Sequence, residues 1–182
     1  MLYPKSLACV LIASAVTASA QPPVPASPKP DPWQPVRALV GSWEGDSQGE
    51  PGVGKSEREY RFVLGDRFIR IDNRSTYAPQ PKNPKGEVHE DVGFLSYDKG
   101  AGKLVLRQFH VEGFVSHYVL DSVSEDGRTV VFTTIAIENI PSGFRARETW
   151  RIAGDELVET FALAEPGKEF ATYSETRFRR KR

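Results

Sequence analysis

Thiols, histidines, excess charge of one sign and helical periodicity are all scarce in this 182-residue chain, and each scarcity removes a class of function. The one cysteine is Cys9, inside the apolar N-terminal stretch. Beyond it there is no thiol, which excludes disulfides, a cysteine nucleophile and thiolate metal sites from the rest of the chain. The three histidines, His89, His110 and His117, are too few for a His-rich metal centre. Lys and Arg total 24, balanced by 24 Asp and Glu, so nothing marks nucleic acid or an anionic membrane as the main partner. There is no G-x-S-x-G elbow, and Gly52-Val53-Gly54-Lys55 lacks the spacing and the following helix of a phosphate-binding loop. No helix-length amphipathic segment occurs apart from a possible turn at Val36–Val40, and no internal repeat is visible.

What is present begins with an export signal. Lys5 supplies a basic start, Leu7 to Val16 an apolar stretch, and Ala18-Ser19-Ala20 an A-x-A cleavage site. The apolar run is too short to span a bilayer core of ~30 Å. Residues 1–20 are therefore expected to be a signal peptide, and the mature protein to be periplasmic or secreted. Lipidation at Cys9 is not expected, because Ser6 stands where a lipoprotein signal carries an aliphatic residue. Residues 21–35 hold seven prolines and read as an extended linker, leaving 36–182 as the folded domain. Removing residues 1–20 deletes Lys5 and no acid, so 23 basic side chains face 24 acidic ones.

Past the linker, apolar residues recur with period two between Gly, Pro, Asp and Asn clusters. This pattern predicts strands at Ser42–Gly49, Ser56–Leu64, Arg67–Tyr77, Glu87–Tyr97, Lys103–Glu112, Phe114–Val123, Thr129–Glu138, Phe144–Ile152, Glu156–Leu163 and Phe170–Phe178. The breaks are short, as at Leu64-Gly65-Asp66, Glu125-Asp126-Gly127 and Ala153-Gly154-Asp155. Tight connections favour hairpins between sequential neighbours, whereas parallel strands need long crossovers. Closure removes exposed edges. The expected fold class is all-β, a single antiparallel up-and-down β-barrel of about ten strands of the lipocalin or calycin kind, with a two-sheet sandwich as the alternative.

Alternation assigns the inward side chains. Phe144, Ala146, Glu148, Trp150 and Ile152 form an apolar face with one acid, opposite Arg145, Arg147, Thr149 and Arg151, so Glu148 and Trp150 are expected inside. The same test places Glu90 inside with Val88, Val92 and Phe94, and Arg58 inside with Tyr60, Phe62 and Leu64. It places Gln108 and His110 inside with Leu104 and Leu106, and Tyr118 inside between Ser116 and Leu120. Ile69, Ile71 and Asn73 are not assigned a side. His89 and His117 are expected to point outward, leaving His110 as the sole interior imidazole and no metal site; a set of His110, Glu90 and Glu148 is the one conceivable arrangement. Buried carboxylates must be paired, protonated or hydrated, and Arg58 is the expected counter-charge. The interior then either satisfies itself as a polar network or forms a ligand cavity contacted by Arg58, Glu90, Gln108, His110, Tyr118, Glu148 and Trp150.

Leu39-Val40-Gly41-Ser42-Trp43-Glu44-Gly45, continuing to Gly49 and Pro51, resembles the G-x-W opening of calycin barrels, in particular nitrobindin-like haem-binding barrels, with the proline one place early. Physically, the tryptophan is expected to plug one barrel end against the preceding turn. Leu64-Gly65-Asp66-Arg67-Phe68-Ile69, Glu90-Asp91-Val92-Gly93-Phe94-Leu95-Ser96-Tyr97-Asp98 and the closing Tyr173 to Arg177 resemble the bacterial DUF1579 family of exported barrels. The nitrobindin resemblance implies haem held through a histidine near the C-terminal strand, handling nitric oxide or isomerising peroxynitrite. Residues Glu169 to Arg182 contain no histidine, Tyr173 is the remaining candidate there, and no cofactor is expected. The DUF1579 resemblance implies the fold and the compartment and carries no activity.

The leading expectation is a non-enzymatic barrel that binds a small hydrophobic or amphipathic molecule, with no nucleic acid and no membrane span. Two alternatives stay open. One is an isomerase or hydrolase using Glu90, Glu148 and His110 as acid and base. The other is an envelope interaction module with a collapsed interior, acting through its rim or its basic end; that end, Arg177 with Arg179 to Arg182, is otherwise expected to be a solvated, frayed terminus.

Overall fold

The computed structural model describes residues 31–182; the expected signal peptide and the linker up to Pro30 lie outside the described residues. Ten strands follow one short 3₁₀ turn at Arg37–Leu39: β1 (Gly41–Gly49), β2 (Gly52–Val63), β3 (Phe68–Tyr77), β4 (Glu87–Asp98), β5 (Lys103–His110), β6 (Val115–Val123), β7 (Thr129–Glu138), β8 (Arg145–Ala153), β9 (Glu156–Ala164) and β10 (Ala171–Arg180). Each pairs antiparallel with its sequence neighbours, and β1 closes against β10. The expected closed meander forms, and the sandwich does not. β2 starts at Gly52 rather than Ser56, because Glu50 and Pro51 make a two-residue turn with Gly49 opposite Gly52. Where β1 meets β10, a Cβ on Gly45 would lie 2.2 Å from the Arg177 carbonyl oxygen, so only glycine permits that approach. No helix among the described residues is long and apolar enough to cross a membrane.

One half of the barrel is solid. Trp43, Tyr60, Ile69, Leu95, Leu106, Phe132, Trp150, Leu157 and Phe178 fill it, all essentially inaccessible to solvent. The chain entering β1 closes this end: Trp33, Val36 and Leu39 join the same core, and Trp43 donates its indole N–H to the Leu39 carbonyl at 2.7 Å. Residues 31–35, expected to be linker, thus belong to the fold, since Trp33 packs edge-on against Phe62 and Asp31 caps the turn by accepting the Trp33 N–H. The basic end is also ordered by contacts. Arg180 lies over the Trp43 ring at 4.2 Å and donates to the Val40 and Ala38 carbonyls, so it clamps the plug instead of fraying.

The other half is a cup. Its wall carries irregularities: β6 and β7 shift register between His117 and Tyr118, as they do again lower down between Leu120 and Ser122, and β9 and β10 shift between Thr172 and Ser174. The β7–β8 ladder covers only Thr129–Thr133 against Arg147–Arg151. Beyond it the Thr134 hydroxyl takes over, accepting the Ala146 N–H at 2.8 Å.

Candidate functional site

The cup encloses a cavity of about 400 Å³. Around its mouth stand Phe114, Ile137, Ile140, Phe144, Phe161, Leu163 and Tyr173; deeper in, the lining turns polar, with Arg58, Asn73, Asp91, Gln108, Glu148 and Glu159. Strand register explains the polar layer, since Arg58 lies opposite Asn73, which lies opposite Asp91. The side chains join accordingly. Arg58 forms an ion pair with Glu159, donates to the Asn73 amide oxygen at 3.3 Å and reaches the Tyr60 hydroxyl at 3.4 Å. Asn73 donates to Asp91 at 2.8 Å, Gln108 donates to the other Asp91 oxygen at 3.4 Å, and the Trp150 indole donates to Glu159 at 3.0 Å. A hydrogen-bonded belt therefore crosses the barrel beneath the cavity.

Of the seven expected ligand contacts, Arg58, Gln108, His110 and Glu148 line the cavity. Tyr118 and Trp150 face inward as expected but lie in the solid core, where Trp150 packs against Tyr60 and Phe132. Glu90 is a correction: it is exposed on the outside and forms an ion pair with Arg74. The parity of β4 is opposite to expectation, because this strand carries polar His89 and Asp91 inward and apolar Val88, Val92 and Phe94 outward. A wet interior inverts the usual amphipathic signal. His89 therefore faces the cavity, His110 is not the sole interior imidazole, and the counter-charge of Arg58 is Glu159, an acid the sequence reading passed over. His117 does point outward, where it meets Glu138 at 2.6 Å.

Burial and neighbours separate the protonation states. Burial pushes the Glu148 carboxyl up to about 8; Arg58 pulls it down only partly, and Asp91 pushes it further up. Glu148 is thus a neutral acid at pH 7. Asp91 is held below the usual carboxylate range: burial opposes ionisation, but His89 and Arg58 outweigh it. Burial lowers His110 to about 4, so its ring is uncharged. His89 moves the other way, to about 9, because contacts with Asp91 and Glu112 overcome burial. Several polar atoms find no protein partner: Gln108 Oε1, both ring nitrogens of His110, the Tyr118 hydroxyl and Glu148 Oε2.

This arrangement bears on the chemistry considered from sequence. With Glu90 outside, the acid–base set of Glu90, Glu148 and His110 does not assemble. Haem by the nitrobindin route suits the residues poorly. β10 has no histidine, and the phenol of Tyr173 is raised by burial and by Glu87 and Glu50, opposite to what a phenolate ligand to ferric iron needs. A metal-competent group does exist, contrary to expectation: ligand atoms of His89, His110 and Glu112 all lie within 4.8 Å of one another.

No family model matches the chain, and no curated protein is significantly similar to it. Solved structures do match. Rv2717c from M. tuberculosis is similar at 20% identity and a TM-score of 0.63, over 82% of this chain and 97% of that one. A de novo designed fluorescence-activating β-barrel matches at 11% identity and a TM-score of 0.40, over 81% of this chain and 98% of the design. The Rv2717c match shows a shared barrel fold and nothing finer.

Proposed function

We propose that the barrel binds a small amphipathic molecule, with its apolar body among Ile137, Phe144, Phe161 and Leu163 and an uncharged polar end on Gln108, Glu148 and His110. One observation carries this reading: the unpartnered polar atoms of Gln108 and Glu148 lie deep in a cavity of about 400 Å³ with apolar residues around its mouth, and those of His110 lie nearer the rim. Leaving a buried donor or acceptor unmet costs about 1–3 kcal/mol, so such atoms favour a ligand that reaches them. The cavity volume falls within the range of small-molecule sites. The charge of Arg58 is already paired with Glu159, which favours a neutral hydrogen-bonding end over an anionic one. An interaction module with a collapsed interior fits the cup less well.

Native mass spectrometry of the protein recovered from its own host, followed by titration with a neutral fluorescent probe such as N-phenyl-1-naphthylamine, tests this. One bound molecule is expected, and Gln108→Leu should weaken a hydrogen-bonding ligand about tenfold, the loss of one such bond. A uniformly bare mass with no thermal shift across fatty alcohols, fatty acids, haem and pigments would refute it. We also propose export with cleavage after Ala20, on the strength of the basic, apolar and A-x-A segments at residues 1–20. N-terminal sequencing of the recovered protein should then start at Gln21.

A further inference from the structure

We propose that His89, His110 and Glu112 form a site for a divalent transition metal of the Zn²⁺ class on the wall of the cup. His89 lies on β4, His110 ends β5, and Glu112 lies in the turn after it. That turn is tight, with the His110 N–H donating to the Phe114 carbonyl and the Gly113 N–H to the His110 carbonyl, so Glu112 swings back toward His89. Glu112 Oε1 lies 2.8 Å from His89 Nδ1, and one ligand atom from each of the three residues falls within 4.8 Å of the other two. Donors on a tetrahedral ion with bonds of ~2.0–2.1 Å are separated by roughly 3.3 Å, a spacing inside that spread.

Two further features point to a metal. Both ring nitrogens of His110 are shielded from solvent and have no protein partner, which an ion pair between His89 and Glu112 does not explain. The ring is also held in place by stacking on Phe114 at 4.0 Å. On the far side of His89, the buried carboxylate of Asp91 faces Nε2 at 3.5 Å, leaving Nδ1 turned toward Glu112. A carboxylate behind a ligating histidine sets its tautomer and orientation, the usual outer support of such sites. Two imidazoles and one carboxylate suit Zn²⁺, Co²⁺ or Ni²⁺ over Ca²⁺ or Mg²⁺, and three protein ligands leave a coordination position for water or a ligand atom in the cavity. The inference stands whether or not an organic molecule binds.

The test uses the full chain without a polyhistidine tag, stripped with a chelator, and titrated with Zn²⁺ by calorimetry and with Co²⁺ by visible absorption. One equivalent should bind, with Co²⁺ giving the intense bands of a tetrahedral site. Glu112→Gln, at an exposed position that leaves the fold intact, and His110→Phe, which keeps the stacking on Phe114, should each abolish saturable binding. Asp91→Asn should weaken it on the order of 10–100-fold. His117→Ala, on the outer face, should leave it unchanged. Absence of saturable binding, or binding that survives in both Glu112→Gln and His110→Phe, overturns the assignment. So does binding lost in His117→Ala.

Discussion

Replacing Glu159 by Gln should expose how the belt beneath the cavity is held. Arg58 and Glu159 are 6% exposed each, and their ion pair is the main neutralisation of a guanidinium under the cup. In Glu159→Gln the amide oxygen can still accept the Trp150 indole N–H, so the change isolates the lost charge. Removing one partner of a buried pair costs about 3–5 kcal/mol, because the other charge stays buried. Asp91, held ionised and near enough to Arg58 to stabilise its charge, places the expected cost at the lower end, about 3 kcal/mol. For a domain of this size that corresponds to a fall in Tm of roughly 6–12 °C. The double variant Arg58→Met with Glu159→Gln removes both charges and keeps the indole acceptor. It should recover most of the loss, to within about 1 kcal/mol of the parent protein. Urea unfolding with a constant m-value measures all three. A single variant costing under about 1 kcal/mol, or a double variant as unstable as the single one, would refute the assignment of Glu159 as the counter-charge.

Two more outcomes follow from the same interior. The Glu148 carboxyl is raised to about 8 in the folded protein against an ordinary 4.5, so the native state holds a proton that the unfolded chain releases. Its stabilising contribution is full below about pH 4.5 and lost as pH rises toward 8; unfolding midpoints across that window should fall, and Glu148→Gln should flatten this part of the profile. A pH profile unchanged by Glu148→Gln would show that the group is ionised in the fold. Ser116→Leu, at a buried cavity-lining position, should weaken probe binding by taking up cavity space; probe titration, with thermal unfolding to confirm that the variant is folded, checks it.

The strands were legible because their punctuation is local: Gly65, Gly127 and Gly154 sit at positive φ in turns that only such residues adopt cheaply. Closure was legible too, from hairpin-length connections and the edge problem. The inward face was clearest where the outside is strongly charged. β8 shows this, with Arg145, Arg147 and Arg151 outside and Glu148 with Trp150 inside. On β4 the outer face is the apolar one, so parity misassigned Glu90, hid Asp91 and turned His89 the wrong way. Glu159 could have been found by the test that found Glu148, since Leu157, Glu159, Phe161 and Leu163 form another apolar run with one acid. The metal-competent group was not legible, because it depends on that β4 parity and on Glu112 lying in a turn rather than extending β5.

Why the barrel is solid at one end and hollow at the other follows from side-chain size along its axis. In the plugged half the inward positions are Trp43, Tyr60, Ile69, Leu95, Leu106, Phe132 and Trp150. In the cup the corresponding positions are Ser47, Ser56, Ser75, Ser116 and Thr176, every one buried. These small side chains largely satisfy each other and the wall: Ser56 with Ser75 at 2.8 Å, Ser47 with Tyr77 at 2.9 Å, and Thr176 donating to Ser47 at 3.0 Å. The wall thus keeps its polar groups paired without filling the space, and a cavity persists where larger residues would have closed it. Among the atoms without a protein partner, those of Gln108, His110 and Glu148 belong to residues that line the cavity, while the Tyr118 hydroxyl lies in the core below it. A wall that largely satisfies itself beside a few cavity-lining groups that do not is the pattern on which the proposed binding rests.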